Sequence, residues 1–315
     1  MIYRHEFENG KDVKVGSFGT EDGLIRCIAF NSDATKLFCG CENGDVVLLS
    51  VDGKGLWKCP ANKKHDHEVS RVFCLNDTSY FSGDQEGGLK LWDPETEHSV
   101  TKTFKHHQDF ISGFAYNEVE DCVVVSSSDG SVSVISMKDR DLLYQTINCQ
   151  DEVLSCCVVK NGKYICAGTQ EGSVNIMKWN EEEVIADRIT GHPESIDGML
   201  KIDEDTICTG SEDGVLRVVQ VIPNRFLGVV GMHDDFPVER MEWTFERKYL
   251  ATCSHDNKVR LFDMSILNED EEESGKREHE SESSEEEGEK GVKARNLKRR
   301  KVTPNNKSSG FYDDL

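Results

Sequence analysis

Three groups of residues in this chain have the types and spacing that chemistry would need. Gly83, Gly87 and Gly88 lie in GDQEGGLKLWD, residues 83–93, and closely spaced glycines can let backbone N–H groups cradle a phosphate. Such a loop needs a helix behind it, with its N-terminus facing the anion. The residues after Gly88 instead alternate apolar and polar, as a strand does, so these glycines are expected to form a turn. Cys39 with Cys41 and Cys156 with Cys157 are the closest cysteine pairs. No Cys-x-x-Cys occurs, and adjacent strand residues point to opposite faces, which makes a poor zinc site. The twelve cysteines sit mostly in apolar runs such as LFCGC and LSCCVV. With no apolar leader at the N-terminus, they read as reduced core thiols. His106 and His107 have no Ser/His/Asp order or paired carboxylates to work with. No catalytic residue, cofactor or metal is therefore expected, and no apolar run approaches the roughly 20 residues of a membrane span.

The elements that carry these residues recur. Aligned on Gly87, the same turn appears at Gly44, Gly130, Gly172 and Gly214, with Asn257 in the last copy, at steps of 43, 43, 42, 42 and 43 residues. Each copy has one internal plan. An alternating run such as VSRVFCL comes first, then a short apolar run such as SYFSG. The Asp-Gly, Glu-Gly or Asn-Gly turn follows, and after it a third run such as LKLWD. A fourth run usually closes the unit, as in VTKTF, LLYQTI, ADRIT and RFLGVV. Period-two alternation marks strands, and the turn residues supply the positive φ that a tight hairpin requires. Four antiparallel strands every forty-odd residues is the pattern of a β-propeller blade.

The Asp-Gly turns, the strand closing on Trp92-Asp93, and Gly191-His192 at the head of a unit resemble WD repeats over residues 13–264. That resemblance implies a network joining a His before the first strand, a Ser or Thr on the second, an Asp in the turn and a Trp on the third. His107 with Asp129, His192 with Asp213 and His233 with Asp256 have the spacing. The Trp position reads Leu49, Trp92, Ile135, Met177, Val219 and Phe262, and the turn beside Trp92 carries Glu86. No repeat is therefore expected to hold the whole network.

A closer resemblance lies further on. IPNRFLGVVGMHDDFPVERM, YLATCSHDNKVRLFDM, TICTGSEDGVLRVV and the ending GFYDDL resemble the WD repeat-containing protein 55 family. What this implies is a non-catalytic nuclear and nucleolar scaffold or adaptor in ribosomal RNA processing and ribosome assembly. The rival is a substrate receptor of a cullin-type ubiquitin ligase. Such receptors often carry Arg two residues after the Trp-Asp pair, and this chain has Glu95 and Ser265 there. The adaptor is favoured.

The expected fold is all-β: a WD-repeat β-propeller of seven-bladed ancestry over residues 1–264, with six phased repeats and an incomplete N-terminal blade. A disordered tail, acidic and then basic, follows over residues 265–315. MIYRHEF and VKVGSF read as the second half of the incomplete blade. VKVGSF is also suited to supply the fourth strand that the last repeat lacks, since an open ring would leave unpaired edges.

Charge points to the partner. The net charge is −22, yet residues 290–307 hold eight Lys or Arg and no acid. An acidic body with basic residues confined to a tail is a poor duplex-binding surface and attracts basic proteins instead. The loops entering the first strands read TEDG, HDHE, HQDF, CQDE, HPES and HDDFP. In a propeller they share one face with the turns. Besides Glu21 and Asp22 they bring Asp66, Glu68, Asp109, Asp151, Glu152, Glu194, Asp234 and Asp235 to it, with Phe110 and Phe236 as apolar anchors. The expected partners are basic ribosomal or assembly proteins, held by a monomeric propeller.

The tail carries its own signals. Residues 269–289 hold twelve carboxylates against Lys276 and Arg277, which favours disorder. Ser283 and Ser284 have acids three positions on, as acidophilic kinases prefer. KARNLKRRK, with Lys293, Arg295, Lys298, Arg299, Arg300 and Lys301, reads as a nuclear localisation signal, with RNA contact as its rival. GFYDDL has the look of a short docking motif.

Overall fold

The computed structural model describes residues 2–6, 11–16, 23–51, 54–93, 100–146, 149, 151–181, 185–244 and 247–265. The tail signals, Glu21 and Asp22 lie outside them.

Every described element is a strand, paired antiparallel with its neighbour. β1 (Ile2–Glu6) and β2 (Lys11–Gly16) form a sheet of their own. Blade one is β3 (Ile25–Phe30), β4 (Lys36–Cys41), β5 (Val46–Ser50) and β6 (Gly55–Lys58). Blade two is β7 (Val69–Cys74), β8 (Tyr80–Asp84), β9 (Leu89–Trp92) and β10 (Val100–Phe104). Blade three is β11 (Ile111–Asn117), β12 (Cys122–Ser127), β13 (Val132–Ser136) and β14 (Asp141–Gln145). Blade four is β15 (Val153–Val159), β16 (Tyr164–Thr169), β17 (Ser173–Lys178) and β18 (Ile185–Thr190). Blade five is β19 (Gly198–Lys201), β20 (Thr206–Gly210), β21 (Val215–Gln220) and β22 (Arg225–Met232). Blade six has three strands, β23 (Val238–Trp243), β24 (Tyr249–Ser254) and β25 (Val259–Asp263). The short β6, GLWK, is a fourth strand that alternation alone does not single out.

The chain is therefore a six-bladed β-propeller with an additional two-stranded sheet. β2 does not close the ring as the sequence suggested. It pairs with β1, and among the described residues β25 has no partner on its outer edge. Pairing within a hairpin needs only a short loop, whereas pairing with β25 would join segments far apart in the chain at a higher entropic cost. A separate β1–β2 sheet is what an incomplete first blade would leave.

The core lies between blades. Tyr80, Trp92 and Val69 of blade two pack on Phe38, Val46 and Leu48 of blade one. Phe81, Leu89 and Leu91 meet Ile111, Val123 and Ile135 of blade three. The same layering joins blades three to four, four to five and five to six. A hydrogen-bond series follows the inner strands. The side chains of Cys27, Ser70, Ser112 and Ser155 donate to the backbone carbonyls of Val69, Ile111, Val153 and Ile196 in the next blade, at 3.4, 2.7, 2.6 and 2.7 Å. A small donor recurring every forty-odd residues was the available sequence signal. All twelve cysteines are at least partly buried, and none is in a disulfide among the described residues.

Candidate protein-docking face

The turn glycines decide the face. Gly44, Gly87, Gly130, Gly172 and Gly214 have φ of 82°, 79°, 83°, 76° and 77°, a conformation that costs L-residues energy. They are also covered. A Cβ on Gly44 would overlap the His65 carbonyl, and one on Gly87 the carbonyl of His107. The next blade's entering loop thus lies directly on each turn. The N–H groups of His65, Cys149 and His233 donate to the carbonyls of Gly44, Gly130 and Gly214 at 2.9, 2.8 and 2.8 Å. Within blades two to five the turn meets its own loop: the N–H groups of Gln85, Ser128, Gln170 and Glu212 donate to the carbonyls of Glu68, Phe110, Glu152 and Ser195. Turns and loops therefore share one face. In the last blade the turn residue is Asn257, φ 58° and exposed.

Beneath this face lies a polar network, fuller than the sequence suggested. In blade two His65 Nδ1 lies 2.7 Å from Asp84 Oδ2 and Nε2 lies 2.6 Å from Ser82 Oγ. Trp92 Nε1 donates to the same Ser82 Oγ at 2.6 Å. This repeat is complete, because Asp84 at the end of β8 takes the place that Glu86 cannot fill. Burial pushes the His65 imidazole below its ordinary range, against the pull of Asp84. The neutral ring then donates from Nδ1 and accepts from Ser82. Burial works to raise the Asp84 carboxyl, and the His65 hydrogen bond overcomes it, leaving that group low.

His107 reaches Asp129 at 3.0 Å and Ser133 at 2.8 Å, and His233 reaches Asp256 at 3.0 Å and Thr252 at 2.6 Å. The third anticipated pair does not form. His192 bonds Thr209 at 2.8 Å, but Asp213 turns to Arg217, which binds both its oxygens. A guanidinium fork suits a carboxylate better than a neutral imidazole does. Burial first, and then the Arg217 charge, push His192 down to about 4.

The ten residues that the sequence singles out lie in the loops stacked on the turns, in two states. Asp66, Glu194 and Asp235 are exposed, and among the described residues no hydrogen bond or ion pair engages their side chains. The others are tied into the loops. Asp109 accepts the Phe110 N–H at 2.7 Å, Asp151 the Glu171 N–H at 3.2 Å and Glu152 the Ser128 hydroxyl at 2.6 Å. Glu68 pairs with Arg26 at 2.8 Å and Asp234 with Arg260 at 2.9 Å. Phe236 is 45% exposed, whereas Phe110 is half-buried. Sequence reasoning missed Glu42, Asp197, Glu212 and Glu239. Ser195 Oγ lies 2.8 Å from Asp197 and 3.1 Å from Glu212. Burial, with Glu239 and Glu212 adding their charge, raises the Asp197 carboxyl. Among the described residues, no three His, Cys, Asp or Glu are grouped to hold a metal ion.

Blades of this length, carrying a His–Asp–Ser–Trp network under the turns, define a WD-repeat β-propeller. Solved structures agree on the fold. The WD40 repeats of RRP9 superpose with a TM-score of 0.63 at 23% identity, over 78% of this chain and 77% of that one. The computationally designed Ika8 protein superposes with a TM-score of 0.65 at 19% identity, over 81% of this chain and 75% of that one.

The WDR55 family model matches residues 1–267, and the chain belongs to that family. WD repeat-containing protein JIP5 of Cryptococcus neoformans is 35% identical over 76% of this chain and 64% of its own length. WD repeat-containing protein 55 of Arabidopsis thaliana is 27% identical over 84% and 74%. Its human counterpart is 27% identical over 85% and 69%. The chain thus spans 64% to 74% of the length of these relatives, less than two thirds of the Cryptococcus protein.

Proposed function

We propose that this protein is a non-catalytic nucleolar adaptor in ribosome assembly that holds Lys/Arg-rich segments of ribosomal or assembly proteins on the face described above. Membership of the WDR55 family supports the setting. The observation that carries the mode of binding is the stacking of loops on turns, which gathers carboxylates from five blades on one side. Charges of one sign fixed on a single face add to a field that favours and steers cationic partners. Asp66, Glu194 and Asp235 are free to pair, and Phe236 offers an apolar contact beside Asp235. The basic run at Lys293–Lys301 would direct the chain to the nucleus, and phosphorylation of Ser283 and Ser284 would add to the acidity of the tail.

The test is affinity capture of a ribosomal-protein extension rich in Lys and Arg by the full chain and by an Asp66→Lys, Glu194→Lys, Asp235→Lys variant. Reversal should abolish capture while leaving thermal stability unchanged, since none of the three side chains supports the fold. Equal capture by the variant would reject this face. Recovery of a cullin adaptor in place of pre-ribosomal proteins would reject the adaptor role.

A further inference from the structure

Among the described residues, blade six alone ends on its third strand. In blades one to four a bulky residue of the fourth strand stands opposite an apolar residue of the third: Trp57 opposite Leu48, Phe104 opposite Leu89, Tyr144 opposite Val134 and Ile189 opposite Val174. Val259 and Leu261 occupy these two positions on β25. Val259 is 61% exposed, whereas its counterparts Val46, Leu89, Val132, Val174 and Leu216 are all at 0%. Leu261 is exposed where its counterparts are buried.

Both flanks of this edge are open. On β22, Gly231 stands opposite Leu216 and Gly228 opposite Val218. Leu216 packs with Val238 and Leu250 of blade six, so both glycines face that blade. A Cβ on Gly231 would overlap the ring of Phe262, but one on Gly228 would touch nothing. That side of β22 therefore opens onto the place where a fourth strand of blade six would run. Across the gap, Ile25 of β3 is 37% exposed, while Val69, Ile111, Val153, Ile196 and Val238 at the same position are at 0%. β2, the segment of this chain suited to that place, is paired with β1.

The edge runs into the acidic face. β25 starts at the Asn257 turn and leads away from that face, so an antiparallel neighbour leads towards it. The segments that follow β6, β14 and β22 end in this way, with the N–H groups of His65, Cys149 and His233 on the carbonyls of Gly44, Gly130 and Gly214. Asn257 is the corresponding turn residue, and it is exposed, as are Asp235 and Phe236 of the loop that enters the same blade. Arg260, between Val259 and Leu261, is held by Asp234 at 2.9 Å and Asp256 at 3.1 Å, so its charge is balanced.

We propose that the basic partner adds a strand antiparallel to β25, carrying two bulky apolar residues two positions apart and then a Lys/Arg cluster. This deepens the function proposed above and rests on it. The unpaired backbone edge supplies the strand hydrogen bonds. The first apolar residue covers Leu261 and the second Val259, as alternate residues share a face. The cations follow three residues on, where His107 follows Phe104, and meet Asp235 and its neighbours. The order, apolar and then basic, is set by the strand direction. The chain's own basic run at residues 290–307 is preceded by residues 269–289, which hold no apolar residue, so a second copy of it does not fit.

Two peptides of one composition test this against the full chain: TFTITGKRKR and its reversal, RKRKGTITFT. The first should bind about tenfold more tightly, because only it buries its apolar pair while its cations reach the face. At saturation it should slow amide exchange along β25. A Val259→Ser, Leu261→Ser variant should bind both peptides equally, at the level of the reversed one. Equal binding of the two peptides by the unaltered chain would overturn the strand and leave the acidic face standing. Tight binding of the first peptide that survives Asp66→Lys, Glu194→Lys, Asp235→Lys would overturn the role of the face, and the proposed ligand with it. Protection of β25 in the chain alone that fades on dilution would assign the edge to a second copy, and would overturn the proposal as well.

Discussion

Blades two and six carry the same polar hinge under different cover. His65–Asp84–Ser82 in one and His233–Asp256–Thr252 in the other have matching geometry, and all four imidazole and carboxyl side chains are almost fully buried. Their third strands occupy the same register and fare differently. Leu89 and Leu91 are 0% and 1% exposed, while Val259 and Leu261 at the equivalent positions are 61% and 40% exposed. β9 has a fourth strand and a following blade to cover it; β25 has neither among the described residues. The hinge is thus a local device that fixes turn and loop within a blade. Burial of the sheet comes from its neighbours. On the other side of the same gap, Leu24, Ile25, Ile28 and Phe30 of blade one are exposed at 58%, 37%, 57% and 50%.

The contrast can be broken most sharply in the apolar layer. Leu91→Ala should cost roughly 2–5 kcal/mol, as a large-to-small change in a packed core does. Leu261→Ala should cost under about 1 kcal/mol, in the range of surface changes. Urea unfolding of the two variants measures the difference, and equal losses would mean that blade six is covered in solution.

A smaller effect sharpens the other half of the comparison. Asp84→Ala and Asp256→Ala should each cost roughly 1.5–3 kcal/mol, the range for a hydrogen bond to a charged group. Here the two blades should agree. A loss confined to blade two would show that the hinge depends on Trp92 after all.

The smallest effect is on pH. Burial holds the His65 and His233 imidazoles below their ordinary value and takes His192 down to about 4. The folded state therefore binds fewer protons than the unfolded one between that value and about 6.5. Stability from His192 is complete above about 6.5 and is lost as the pH falls towards 4, and His65 and His233 act in the same direction. The melting temperature should decline through that window, and His192→Gln should flatten the part of the decline due to His192.

Much of this molecule is legible in its sequence because each blade is a local object. Alternation, positive-φ turn residues and a forty-odd-residue period concern neighbours along the chain, and they were enough to place six repeats. The loops bearing Asp66, Asp109 and Asp235 were assignable to one face on the same grounds. The network was only partly readable. Asp84 was overlooked because it sits two residues ahead of the expected turn position, and His192 was paired with Asp213 because spacing says nothing of Arg217. The carboxylates Asp197, Glu212 and Glu239 belong to loops, a turn and a strand that become neighbours only in three dimensions.

What the sequence determined by itself is the repeated unit: four strands, a glycine turn and an acid-bearing loop, since hydrogen bonding and φ preferences act within a few residues. Only the tertiary structure decided which units are buried, which carboxylates are free and where an apolar edge faces solvent. Those depend on whether another blade stands alongside, and packing between segments forty or more residues apart leaves no local trace in the order of amino acids.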